Sequence, residues 1–316
     1  MDDRSYKIIL SLVEGMTPAD YWKILDRLQD DRISVGEFFQ CSDEYLSKNL
    51  SLSNELIKGI RNFSNNLDGG LELIHYLSDS NIDILIFDDD LYPQKLKENL
   101  VGYTPPVLYC YGNMALLSEK SGAVVGSRQP DDDAIDHARK AAAALVKDNR
   151  TVVSGCAKGI DAVAHQEALD AGGNTIGVLR SGILHNRAMD IFQDFGVSMD
   201  SILLISEFQP TQKWDPAAPL IRNKTICALS DLVIIIQGGL RSGTVNTGNN
   251  AIKLNKPLFV LTPPQSDPSG WEGNENLISR GAMKVPRDSD SGYADFDLAI
   301  QNLPKPRREP EQGTFF

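Results

Sequence analysis

The segment at residues 154–161 has the residue types and the spacing of an anion-binding turn. It follows a short β-branched run at residues 150–153, which predicts a buried strand, and it leads into residues 162–169, which predict a helix. Small residues between a strand and a helix let a ligand approach the backbone, and the N-terminus of the helix offers unpaired N–H groups and a partial positive charge. The segment therefore predicts a site for a phosphate.

Three further turns offer similar chemistry, and we number all four in chain order, so that residues 154–161 are the second turn. The first turn, residues 126–128, follows a predicted strand and supplies a hydroxyl and a guanidinium fork suited to phosphate. The third turn, residues 222–224, begins a predicted helix with two cations and an amide. The fourth turn, residues 237–244, is a glycine-rich nest with hydroxyl donors. One such turn is common in parallel sheets, whereas four with matching cations predict a polyanionic or nucleotide ligand.

The candidate residues for binding phosphate or nucleic acid come from all four turns. They are Gly126, Ser127, Arg128, Ser154, Gly155, Lys158, Gly159, Arg222, Asn223, Lys224, Ser242, Gly243 and Thr244. Asp161 and His165 are four residues apart on a predicted helix, and we interpret them as a pair that shapes the second turn. The sequence has no Walker lysine motif, no G-x-S-x-G elbow and no H-E-x-x-H motif, so it predicts no catalytic residue, metal ligand or cofactor.

The order of predicted elements indicates the fold class. Strands and helices alternate over residues 119–300, and several strands are continuous apolar runs, such as residues 232–236. This pattern predicts an α/β fold with an extended Rossmann-like, doubly wound and mostly parallel sheet that is covered on both faces. Ligands of such sheets bind at the carboxyl ends of the strands, and the turns that follow predicted strands belong to that edge.

The remaining parts of the chain flank this sheet. Residues 1–74 predict a small all-helical domain, and Thr17 with Pro18 has the pattern of a helix start. The turn at residues 15–17 resembles a helix-hairpin-helix that would meet a DNA backbone, but it lacks a second glycine, so a plain helical interaction domain is favoured. Residues 75–118 lead into the sheet, and residues 301–316 predict a disordered tail.

Charge and composition limit the class of function. The 316 residues carry a net charge of −12, which argues against a protein that is basic overall and binds duplex DNA. A local basic groove stays possible, because residues 220–261 contain five cations and a single acid, Asp231. The acidic runs at residues 88–90 and 131–133 are interpreted as solubilising charge and helix caps. Four scattered cysteines and the lack of a long apolar run predict a protein of the reducing cytoplasm.

In chain order, the four turns resemble the motifs of the DNA-processing protein A family (DprA, also called Smf). The resemblance covers about residues 81–284. Its main motifs here are Asp90-Leu91-Tyr92-Pro93, Gly126-Ser127-Arg128, Ser154-Gly155-x-Ala157-x-Gly159-Ile160-Asp161 with His165, Arg222-Asn223, and Ser242-Gly243-Thr244. Each motif alone is weak, but together they are highly specific.

The resemblance implies a homodimer with an extended Rossmann fold that binds single-stranded DNA. It further implies that the protein protects this DNA and loads a RecA-type recombinase onto it, in recombination or natural transformation, without catalysis. The implied DNA contacts are Arg128, Ser154, Gly155, Lys158, Arg222, Asn223, Lys224, Ser242 and Gly243.

The chain also departs from the family pattern. Three carboxylates at residues 131–133 follow the first turn, where small polar residues are usual, and they would repel a nearby phosphate. The Tyr-Pro segment expected after Gly182 is absent, and so is the winged helix found at the end of many members. We therefore expect a divergent member of the family.

Two rival hypotheses stay open from the sequence. The fourth turn resembles the Pro-Gly-Gly-x-Gly-Thr-x-x-Glu loop of nucleotide phosphoribohydrolases, which makes a nucleotide-binding sensor or a hydrolase the alternative function. Thr247 stands where those enzymes need the closing glutamate, and a hydroxyl cannot supply that negative charge, so hydrolysis is disfavoured. A dimeric scaffold that has lost its ligand is the other alternative, and the cations of the four turns argue against it.

Overall fold

The computed structural model describes residues 1–185, 192, 198–263, 269–289 and 292–304. Within them nine strands form a single sheet, in the order β1-β2-β6-β5-β4-β3-β7-β8-β9. The strands are β1 (Asp83–Ile86), β2 (Val107–Gly112), β3 (Ser121–Val125), β4 (Thr151–Gly155), β5 (Thr175–Val178), β6 (Ile202–Ser206), β7 (Leu232–Ile235), β8 (Leu258–Val260) and β9 (Met283–Lys284). The β1–β2 and β2–β6 pairs are antiparallel and the other pairs are parallel, which confirms the predicted fold class.

Helices precede the sheet and cover both of its faces. They are α1 (Asp3–Ser11), α2 (Pro18–Asp31), α3 (Val35–Phe38), α4 (Asn54–Ser64), α5 (Leu67–Asp79), α6 (Gln94–Asn99), α7 (Asp132–Lys147), α8 (Ile160–Asp170), α9 (Ala218–Leu229), α10 (Gly243–Lys253), α11 (Glu272–Ser279) and α12 (Phe296–Gln301). Helix α9 begins before the third turn, so residues 222–224 lie within its second turn and not at its start. The tail was predicted to begin at residue 301, but Gln301 still belongs to α12, and residues 305–316 lie outside the described residues.

Two apolar layers bury the two faces of the sheet. One layer contains buried residues of α9, α10 and α11, such as Ile226, Ala251 and Leu277. The other contains residues of α7 and α8, such as Leu145 and Ala164. Each central strand is buried along its whole length, which explains the continuous apolar runs in the sequence. The sheet is therefore a fixed base for the loops at its edges.

The helical domain at the N-terminus has its own core and also packs on the sheet. A third apolar cluster joins α1, α2, α3 and α4, and a fourth cluster joins α1 and α5 to β1, β2 and β6. Arg4 forms an ion pair with Asp89 at 2.8 Å, and Lys7 forms one with Asp88 at 2.8 Å. The acidic run at residues 88–90 was interpreted as charge that keeps the protein in solution. Two of its carboxylates also form ion pairs between the helical domain and the sheet.

The turn between α1 and α2 also faces the sheet domain. Nε2 of Gln209, which follows β6, donates hydrogen bonds to the carbonyls of Ser11 at 3.3 Å and Val13 at 3.1 Å. These contacts use the end of α1 and the residues after it for packing within the protein. In the described part of the chain, no helix is long and apolar enough to cross a membrane.

Candidate functional site

The four turns meet at one edge of the sheet. The first, second and fourth turns follow the carboxyl ends of β3, β4 and β7, which are parallel neighbours in the order β4-β3-β7. The third turn lies on α9, which covers the face of the sheet beside them. The edge predicted from the sequence is thus the place where the candidate residues come together.

The first and second turns contact each other directly. The backbone N–H of Ile160, at the start of α8, donates to the carbonyl of Ser127 at 3.1 Å. Gly159 adopts φ +82°, which side chains disfavour, and a Cβ there would lie 2.8 Å from the Arg128 backbone. At Gly126, a Cβ would lie 2.6 Å from Cγ1 of Ile160. Two glycines therefore allow the turns to approach more closely than other residues would.

Arg222, in the third turn, packs its guanidinium against Gly155 of the second turn. Its side chain is only 4% exposed, and Nη1 donates to the carbonyl of Val178 at 3.0 Å. A Cβ on Gly155 would overlap the guanidinium, so the missing side chain of Gly155 leaves the space that Arg222 fills. Arg222 therefore supports the turn, whereas the sequence interpretation placed it in contact with a ligand.

Asn223 connects the third turn to the fourth. Its Nδ2 donates to the carbonyl of Gly243 at 3.1 Å and to Oδ1 of Asn246 at 3.3 Å. Ser242 caps α10, since its hydroxyl accepts from the N–H of Val245 at 3.3 Å. The two bonds from Asn223 hold the first turn of this helix against α9.

The fourth turn is bonded to Asp131, which lies three residues after the first turn. This residue caps α7, because its carboxylate accepts from the N–H of Ala134 at 2.7 Å. The same carboxylate accepts from Nε2 of Gln237 at 2.7 Å and from Nε1 of the buried Trp271 at 3.0 Å. One member of the acidic cluster thus accepts hydrogen bonds from three residues and has a positioning role. The contacts among the four turns and Asp131 close into a ring, which we call the turn ring (residues 126–131, 154–161, 222–224 and 237–244).

His165 and Asp161 shape the second turn separately. Nε2 of His165 lies 2.8 Å from the carbonyl of Gly155, and Nδ1 lies 2.6 Å from Oγ1 of Thr175. Burial lowers the pKa of His165 to about 4, so the ring is neutral at pH 7. Nε2–H then donates to the carbonyl of Gly155, and the single proton of the Thr175 hydroxyl is shared between Nδ1 of His165 and the carbonyl of Val152, 2.9 Å away. The predicted pairing of His165 with Asp161 is wrong, because both ring nitrogens are occupied by other groups.

Asp161 lies inside the second turn. Burial raises the pKa of this carboxyl, while the nearby Arg222 and the N–H of Ala157 favour its charged form. Asp161 is 7% exposed, which leaves little of it available to a ligand. The hydrogen bond of His165 to Gly155 and the one that Asp161 accepts from Ala157 therefore hold the turn from inside.

Burial divides the candidate residues into a framework and a surface. Five of the candidate residues are buried: Ser154, Gly155, Arg222, Asn223 and Thr244. The partly or fully exposed ones are Gly126, Ser127, Arg128, Lys158, Gly159, Lys224, Ser242 and Gly243. The buried side chains bond or pack within the protein: for example, the Ser154 hydroxyl donates to Val124 at 2.7 Å. A ligand at this edge would therefore meet mainly the second group.

Four cations of the turn ring form no ion pair within the part of the chain that the structure describes, although Glu207 lies near Lys224 and Asp161 near Arg128. Of the four, Arg128, Lys158 and Arg241 are exposed, and Lys224 is half-buried. In a chain with a net charge of −12, this group is a local positive surface.

Arg180 belongs to the same surface and was missed from the sequence. It lies two residues after the end of β5 and is half-buried, and burial together with the nearby Arg128 and Arg222 lowers its pKa. Three guanidinium groups therefore share this region of a protein that is acidic overall. The position of an arginine just beyond the carboxyl end of a parallel strand was the signal that could have identified it.

Comparison with known proteins defines the family. The model of the family DNA recombination-mediator protein A matches residues 83–293, well over half of the chain. The chain belongs to this family. The match includes all four turns, which confirms the resemblance inferred from their motifs.

Individual relatives extend the match. Protein Smf of Synechocystis is 29% identical over 290 residues, which are 90% of this chain and 70% of that protein. The DNA processing protein DprA of Streptococcus pneumoniae is 35% identical over 210 residues, which are 64% of this chain and 70% of that protein.

Two solved structures share the fold. The X-ray structure of DprA from Streptococcus pneumoniae superposes with a TM-score of 0.75 at 24% identity, over 95% of this chain and 98% of that one. DNA processing protein A from Helicobacter pylori, whose structure was described for its single-stranded DNA binding mode, gives a TM-score of 0.58 at 26% identity, over 71% of this chain and 97% of that one.

Proposed function

We propose that this protein binds single-stranded DNA on the exposed cations of the turn ring and acts in DNA processing. The observation that carries the proposal is a group of four cations, Arg128, Lys158, Lys224 and Arg241, that form no ion pair among the described residues of an otherwise acidic protein. Such a group neutralises the phosphates of a strand without reading its sequence. The single-strand binding mode described for the relative from Helicobacter pylori supports the choice of ligand.

The framework explains how these cations would be held for a strand. Interlocking contacts among Ile160, Arg222, Asn223 and Asp131 fix the turns relative to one another before any ligand arrives. A surface that is already ordered loses less conformational entropy on binding. Following the family resemblance, we propose that the bound strand is passed to a RecA-type recombinase and that the protein acts as a homodimer.

The proposal includes no catalysis. In the hydrolase alternative, a carboxylate would be needed at Thr247, and this side chain is 2% exposed and donates to the carbonyl of Gly243 at 3.0 Å. Thr247 thus serves α10 internally, and a hydroxyl cannot stabilise a positive charge on a sugar carbon. A nucleotide-hydrolysing role has no support from this turn.

The test is a titration of labelled single-stranded oligonucleotides of mixed sequence at two salt concentrations. We expect binding at low salt that weakens as salt rises, and weaker binding of a duplex of the same length. Arg128→Ala and Lys224→Ala should weaken binding and reduce the salt dependence, with the melting temperature nearly unchanged. Lys253→Ala is the matched control, because this exposed residue ends α10 at the opposite edge of the sheet. No binding at low salt, or affinity that ignores salt, would refute the proposal.

A further inference from the structure

An exposed aromatic ring lies against one of the cations of the turn ring. Nζ of Lys224 is 4.8 Å from the centroid of the Tyr103 ring, which is a cation–π contact. The Tyr103 ring is 63% exposed, so much of it is open to solvent. An exposed tyrosine beside a phosphate-binding lysine combines the two groups that bind a nucleotide of a single strand: a flat surface for the base and a cation for the phosphate.

The segment that carries Tyr103 is placed at the correct edge of the sheet. Residues 100–106 lead into β2, which runs antiparallel to β6, so the start of β2 lies beyond Ser206 at the carboxyl end of β6. This is the edge that carries the turn ring. The sequence interpretation treated this segment only as a lead-in to the sheet, and nothing in its pattern indicated a contact with the third turn.

The backbone around Tyr103 is held by contacts on both sides. The N–H of Tyr103 donates to the carbonyl of Leu100 at 2.7 Å, and Gly102 adopts φ +75°, which turns the chain sharply. On the other side, Nε1 of Trp22 donates to the carbonyl of Thr104 at 2.8 Å. The Tyr103 ring is therefore held on an ordered loop. Because most of the ring is exposed, it is not part of an apolar core.

We propose that Tyr103 is a base-stacking residue that extends the single-strand surface beyond Lys224. In this arrangement Lys224 binds a phosphate, and the adjacent base stacks on the exposed ring of Tyr103. Stacking requires only the flat face that every base has, so the site adds affinity without sequence preference. This inference rests on the proposed function, because it assumes that a strand lies along the turn ring.

The test compares two probes of equal length and charge: an oligothymidylate and an oligomer of abasic sugar phosphates. Tyr103→Ala should weaken binding of the oligothymidylate about fivefold to tenfold, while its effect on the abasic strand stays within about twofold. Tyr103→Phe should bind both strands like the parent, because the phenyl face also stacks. The melting temperature of each variant checks that the loop change leaves the fold intact.

Tyr293→Ala is the matched control, since Tyr293 is 62% exposed and makes the same kind of contact with Lys140, at 4.9 Å. This variant should bind both strands like the parent. Equal losses on the two strands for Tyr103→Ala would overturn the proposal, because the ring would then act only by positioning Lys224. An unchanged affinity for the oligothymidylate would also overturn it. If the parent protein binds neither strand, the proposed function itself fails, which is a different result from either of these.

Discussion

Gln237 and Asp131 exchange two hydrogen bonds across the edge of the sheet. Nε2 of Gln237 donates to the Asp131 carboxylate at 2.7 Å, and its Oε1 accepts from the Asp131 N–H at 3.2 Å. This reciprocal pair closes the turn ring between its fourth turn and the segment that follows the first turn. It also uses a carboxylate that the sequence alone suggested would repel the ligand.

Asp131→Ala should lower the free energy of unfolding by about 1–3 kcal/mol, measured by urea denaturation. The change removes the cap of α7 and leaves Nε1 of the buried Trp271 without its acceptor. Asp132→Ala, at the exposed neighbouring position, is the control and should change stability by less than about 0.5 kcal/mol. Equal effects of the two substitutions would show that Asp131 contributes only general charge.

Arg180→Ala should weaken single-strand binding roughly tenfold, because a phosphate of the strand would lose its charge-assisted hydrogen bond with the guanidinium. The melting temperature should stay the same or rise, since the change relieves repulsion from Arg128 and Arg222. Titrations at several salt concentrations measure the number of phosphates neutralised, and the slope should fall by about one. The same titration with Lys253→Ala should match the parent protein. An unchanged slope for Arg180→Ala would remove Arg180 from the binding surface.

Stability should fall as the pH falls from about 6.5 to about 4, because His165 titrates near 6.5 when unfolded and at about 4 when folded. Between pH 6.5 and 4, His165 binds a proton in the unfolded chain but not in the folded protein, so acid favours unfolding. The loss attributable to this residue is roughly 3 kcal/mol across the window.

Urea unfolding of the parent protein and of His165→Gln at several pH values measures this contribution. The difference between the two curves isolates His165, because Asp161 and Glu207, whose pKa values burial raises, titrate in both proteins. His75→Gln, which replaces an exposed histidine by the same residue type, is the control. A parent and a His165→Gln variant with parallel curves would show that the buried ring does not resist protonation.

Nucleoside monophosphates incubated with the protein should release no free base, as measured by chromatography. The reason is the hydroxyl at Thr247, which cannot replace the carboxylate of the phosphoribohydrolase loop. A sample without protein gives the background of spontaneous release. Base release above that background would reverse the assignment of a non-catalytic role.

The fold was predictable from the sequence because its signals extend over many residues. Continuous apolar strands such as β7 alternate with helices, and each glycine-rich turn follows a strand end, so the common edge followed from the topology of a parallel sheet. The contacts within that edge were not predictable in the same way. An arginine near a helix start has the pattern of a phosphate ligand, and only the space left by Gly155 shows that Arg222 is buried.

Long-range pairs account for the other differences. His165 is one turn away from Asp161 along α8, which favoured a local pair, but its partners are on β4 and β5. Likewise, nothing near Asp88 or Asp89 in the sequence indicates that their partners are Lys7 and Arg4. Such partners depend on how distant elements pack, and periodicity carries no information about that.

The packing of the helical domain on the sheet has a consequence for synthesis on the ribosome. The domain can complete its own core as soon as its first helices have emerged, because that cluster is built from residues such as Leu28 and Ile60. The other apolar surface, which includes Leu12 and Leu77, is finished only by β6, whose Leu204 joins the same cluster. The apolar surface that includes Leu12 therefore stays incompletely covered until β6 has been synthesised, which is more than half of the chain later. During that time it is a binding site for a chaperone.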